Sequence, residues 1–115
     1  MSQYGGIIYL GRDASVKFDA FQDDLFTPQG TSYTGGSDLA TGDWTAKRIA
    51  KDGANDAALT ATVTARDTRG GYEVALLASS GHTDTPGKLE LVFEAAGTQP
   101  VHVVCDVVRP TIRRV

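Results

Sequence analysis

With 115 residues, 41% hydrophobic and 22% charged, the chain has the length of one globular domain, and its core needs no metal or disulfide to hold it. A formal net charge of -3 argues against nucleic acid as the main partner, because phosphate binding wants a basic face. A single cysteine excludes an internal disulfide and fits assembly in a reducing cytosol, and no apolar run reaches the length of a membrane span.

Residues 4–10 (YGGIIYL) hold Ile7, Ile8, Tyr9 and Leu10 in one apolar run. The run suits a short strand, or an arm that docks on a neighbouring subunit because Gly5 and Gly6 loosen its attachment. The start of the chain lacks the basic and apolar segments of a signal peptide. After a turn at Gly11, Val16, Phe18 and Ala20 alternate with Ser15, Lys17 and Asp19. Successive side chains of a strand point to opposite faces, so such alternation predicts a half-buried strand. Residues 27–43 lose all apolar periodicity, with Tyr33 and Leu39 set among Gly, Ser, Thr and Asp. That composition suits a surface insertion or an adaptable binding loop centred on Tyr33.

Trp44 opens the next strand, with Ala46 on its face, Lys47 and Arg48 turned to solvent, and Ile49 out of phase enough to suggest a bulge. Lys51-Asp52-Gly53 turns the chain. Leu59, Ala61, Val63 and Ala65 then alternate with threonines in the most regular period-two run of the sequence. Gly70-Gly71 precedes Tyr72, Val74 and Leu76, all on one face. The turn-rich stretch 79–87 (SSGHTDTPG) leads to Leu89, Leu91 and Phe93, and Val101, Val103, Cys105 and Val107 close the series before Pro110. A short helical turn fits residues 79–83. About seven or eight short strands without helical periodicity predict an all-β chain, a single antiparallel β-sandwich spanning residues 1–115. Its expected core is Val16, Phe18, Trp44, Leu59, Val63, Tyr72, Val74, Leu76, Leu89, Leu91, Phe93, Val101, Val103 and Cys105.

Little in the sequence converges towards catalysis. His82 and His102 are distant in sequence, and no HxH, HExxH or CxxC spacing is present, so neither a metal nor a cofactor is expected. Ser80, His82 and Asp84 lie too close along one loop to assume a nucleophile–base–acid relay, and read as a solvated turn. Asp52, Asn55 and Asp56 lack the spacing of a calcium loop. Cys105 reads as a small buried hydrophobe. Arg109, Arg113 and Arg114 form the only basic cluster, at a chain end.

The successive motifs Trp44-Thr-Ala-Lys-Arg-Ile-Ala-Lys-Asp-Gly, the Thr-rich strand, Gly70-Gly-Tyr-Glu-Val-Ala-Leu, Thr83-Asp-Thr-Pro-Gly-Lys-Leu-Glu-Leu and Val103-Val-Cys-Asp-Val-Val cover a little over half of the chain. In this order they resemble the immunoglobulin-like (Ig-like) β-sandwich domains of virion proteins of tailed bacteriophages, found in tail fibres, baseplates and other appendages. The resemblance implies a non-enzymatic structural protein of the virion, made in the host cytoplasm, whose partners are other virion proteins and copies of itself. It transfers no catalytic residue. The expected contact residues are Ile7, Ile8, Tyr9 and Leu10 at one end and Ile112, Arg113 and Arg114 at the other. The alternative is a module binding carbohydrate or a host-surface glycan through the loop around Tyr33.

Overall fold

The structure, a computed structural model, describes residues 2–22, 39, 41–52, 54–66 and 70–110. Eight strands run in chain order among them: β1 (Ser2–Tyr9), β2 (Ala14–Asp19), β3 (Trp44–Ala50), β4 (Ala57–Ala58), β5 (Val63–Ala65), β6 (Gly71–Leu76), β7 (Gly87–Ala95) and β8 (Val101–Val108). One sheet has the order β1-β8-β7-β3-β4 and the other the order β2-β6-β5. Two 3-10 turns, Thr41–Asp43 and Ala78–Ser80, are the helical elements among the described residues, the second where the sequence predicts one. No helix among these residues is long and apolar enough to cross a membrane.

The sheets face each other across one apolar cluster, and four aromatic rings join them. Phe18 and Tyr72 come from the small sheet, Trp44 and Phe93 from the large one. Phe18 stacks on Phe93 with centroids 4.5 Å apart and planes 5° from parallel. The Trp44 indole meets Phe18 and Tyr72 edge-on at 5.6 and 5.4 Å, geometries that aromatic quadrupoles favour. Every residue predicted for the core is buried, as the period-two pattern dictates; Ile8, Ala20, Ile49, Ala95 and Val107 join them.

The chain is all-β with mostly antiparallel pairing, but the large sheet is mixed. β1 runs parallel to β8, against the expectation of a wholly antiparallel arrangement. Alternation tells which face a residue takes and carries no information on strand direction. The regular run 59–65 is also divided. Leu59 N–H donates to Lys47 O in the large sheet (2.7 Å), while Ala75 N–H donates to Thr62 O in the small one (3.1 Å). The chain therefore changes sheets inside the run. The bulge of β3 lies between Trp44 and Ala46 rather than at Ile49. It puts Ala46 opposite Glu94 on the outer face and Lys47 opposite Phe93 on the inner one, reversing both expectations, and it brings Ile49 into phase with the core.

Candidate functional site

β1 is the feature that places candidate contact residues on the surface. It forms the outer edge of the large sheet, and its parallel ladder to β8 runs from Ser2 opposite His102 to Tyr9 opposite Val108. The ladder shifts register between Tyr4 and Gly6, where Gly6 has φ of 99°, a left-handed conformation that glycine adopts without strain. Gly5 solves a different problem. A Cβ there would lie 2.5 Å from Cys105 Sγ and 2.8 Å from both Val103 and Val16. Gly5 thus fastens β1 against the core, where the sequence suggested a loosened arm. Gln3 adds a polar clip: its amide nitrogen donates to Asp19 O at 2.7 Å and its amide oxygen accepts Asp19 N–H at 2.8 Å. One side chain thereby closes backbone groups at the edge of the facing sheet.

The shift in register gives the apolar run two fates. Ile8 points into the core at 3% exposure and Leu10 packs against it, so these two contact residues are used within their own chain. Tyr4, Ile7 and Tyr9 stand on the outer side at 64%, 63% and 55% exposure, beside half-buried Val104 and Val108 of β8. The Tyr4 hydroxyl donates to Asp106 Oδ2 at 2.8 Å, and this hydrogen bond raises the pKa of the phenol. At the far end of β1 a groove of about 560 Å³ is lined by Tyr9, Arg12, Val108, Arg109 and Pro110. Neither Arg12 nor Arg109 has a carboxylate partner among the described residues. The pairing of β1 with β8 brings Arg12 to Arg109. Nothing in the sequence joins them, and Arg12 was missed for that reason. Tyr33, Ile112, Arg113 and Arg114 lie outside the described residues.

The second concave region is a cleft of about 470 Å³ whose lining includes Lys51, Asn55, Thr60, Ser80 and His82. The turn behind it is not simply solvated, since His82 is 7% and Thr83 0% exposed. Small polar side chains fold back onto the backbone here, a placement that turn composition alone conceals. His82 Nδ1 accepts Leu77 N–H at 3.0 Å, and Asp84 pairs with Lys51 at 2.7 Å and accepts from Thr85. The contacts with Lys51 and Thr85 lower the pKa of Asp84. A relay would need His82 Nδ1 to face Asp84, and that nitrogen is engaged by the backbone.

The remaining acids are dispersed among separate tasks. Asp56 pairs with Arg48 at 2.5 Å, Asp19 with Arg66 at 3.4 Å, and Asp52 accepts Lys88 N–H at 3.3 Å. No cluster of three or more potential metal ligands occurs among the described residues. Glu90 lies between Lys88 (3.0 Å) and His102 (3.7 Å), and the hydrogen bond from Lys88 chiefly lowers its pKa. Burial pushes the Cys105 thiol up to about 11, which leaves it protonated and unreactive near neutral pH. Among known proteins, no family model and no curated sequence matches the chain.

Proposed function

We propose that this chain is an Ig-like β-sandwich serving as a non-enzymatic assembly or attachment domain of a tailed-bacteriophage particle, in its tail, baseplate, fibre or another appendage. The observation that carries the fold is the strand order. Placed against an immunoglobulin domain, β2-β6-β5 takes the positions of strands B, E and D, and β8-β7-β3-β4 those of G, F, C and C′. β1 then stands where a first strand has left the small sheet for the edge of the large one. The order of the turn and strand motifs from Trp44 to Val108 supports the virion setting.

Assembly uses the outer side of β1 and β8. Tyr4, Ile7 and Tyr9 supply apolar contact at the sheet edge, and Arg12 and Arg109 supply charge at its end. The partners are copies of the chain or other virion proteins, and the localisation is the virion. Quantitative mass spectrometry of purified particles tests the reading. A fixed copy number per particle supports it, and absence from particles carrying all their other structural proteins overturns it.

A further inference from the structure

The connection 77–86 carries the chain from the small sheet to the large one, and it is fastened to the turn between β1 and β2. Gly11 N–H donates to Thr83 O at 2.8 Å, the Thr83 hydroxyl donates to Arg12 O at 2.9 Å, and Ala78 N–H donates to Asp13 Oδ1 at 2.8 Å. Within the connection His82 holds both ends of the curl: its backbone N–H donates to Leu77 O at 3.2 Å, and its ring Nδ1 accepts Leu77 N–H at 3.0 Å. A ring nitrogen that accepts an N–H has a free lone pair, so the imidazole is neutral and carries its proton on Nε2. A second proton would sit on Nδ1 and set two donors against each other. The ring is buried, with little water to relieve that conflict.

We propose that His82 is a pH-sensitive latch: protonation of its ring breaks the bond to Leu77, opens the connection 77–86 and releases the β1–β2 turn from it. The charged groups around it set the direction. Lys51, from the turn after β3, opposes a second positive charge. Asp84, on the connection itself, favours one but is engaged by Lys51. From the β1–β2 turn, Asp13 reaches the connection with its carboxylate and Arg12 with its backbone carbonyl, while Asp52 sits against Gly87 at the other end. Burial first, then Lys51, lowers the His82 pKa from its ordinary value of 6.5, over the weaker opposing effect of Asp84. The closed form therefore binds the proton less readily than the open one. The latch has its full stability above about pH 6.5 and loses it as pH falls towards the lowered value. Ser80, Gly81 and His82 also wall the 470 Å³ cleft, so opening reshapes that cleft. The latch is independent of the proposed virion role.

The test is amide hydrogen exchange by NMR between pH 7.5 and 5, corrected for the intrinsic pH dependence of exchange, on wild type and His82→Asn. Asn offers an acceptor near the position of Nδ1 and does not titrate. In wild type, protection of Leu77, Ala78 and Gly11 should fall by up to about tenfold per pH unit below pH 6.5, while amides of β7 hold. In His82→Asn the same protection should stay flat. Flat protection in wild type, or an equal fall in the variant, overturns the proposal. If His82→Asn does not fold, wild type alone decides. The His82 ring must then show the Nε2–H tautomer at pH 7.5 and titrate together with the loss of Leu77 protection; a charged ring with Leu77 still protected overturns it.

Discussion

Ile7 and Ile8 are neighbours in the chain and opposites in environment: Ile8 is 3% exposed in the core, and Ile7 is 63% exposed on the other side of the same strand. The two regions they belong to are held by different physics. Between the sheets, Phe18, Trp44, Tyr72 and Phe93 fill a closed volume, and burial contributes most, even though the Tyr72 hydroxyl also accepts Leu39 N–H at 3.2 Å. Along β1 the attachment is directional: a parallel ladder, a glycine where no side chain fits, and a glutamine bonded to the other sheet's backbone. The first region should be sensitive to lost volume. The second should be sensitive to particular groups and indifferent to what its outer side carries.

The largest effect should follow from emptying the core. Trp44→Ala should destabilise the fold by about 3–5 kcal/mol in chemical denaturation, because the indole contacts both sheets and leaves a cavity. Trp44→Phe should lose less, because its ring refills much of that cavity, while both variants equally remove the buried indole N–H that has no hydrogen-bond partner among the described residues. Equal losses for the two variants would show that filled volume is not what Trp44 contributes.

Next comes the fastening of β1. Gly5→Ala should cost about 1–3 kcal/mol, the usual range for forcing extra volume into a packed site, because its Cβ would meet Cys105, Val103 and Val16 together. Gln3→Leu, which keeps bulk and removes both bonds to Asp19, should cost about 1 kcal/mol and raise exchange of the Asp19 amide. If Gly5→Ala proves neutral, β1 is held by its ladder alone.

The core was legible in the sequence because burial imposes a period of two, and that period survives whichever strand lies alongside. Its residues from Val16 to Cys105 could be read directly from the alternation. Strand direction, the change of sheets between Leu59 and Thr62, and the bulge after Trp44 were not legible. Each is decided by which strand pairs with which, and alternation is silent on that. The surface suffered most: Arg12 and Arg109 share a groove only because β1 lies beside β8. Gly5-Gly6 read as looseness because a glycine needed for close approach and one needed for freedom are the same letter.

The smallest effect on stability, and the most informative about role, should come from the outer side of β1. Replacing Ile7 and Tyr9 by Ser should change stability by no more than about 0.5 kcal/mol each, because both are more than half exposed and neither belongs to the core cluster. Tyr4 is less suitable for this test, since its hydroxyl bonds Asp106 and a change there would also disturb β8. If this side of β1 is an assembly surface, the double variant should remain folded while its incorporation into particles falls. Competition between wild-type and variant chains for the same particles would measure that fall without needing the affinity of either. Normal incorporation of a folded double variant would remove Ile7 and Tyr9 from the assembly surface and leave Arg12 and Arg109 as the residues to test next.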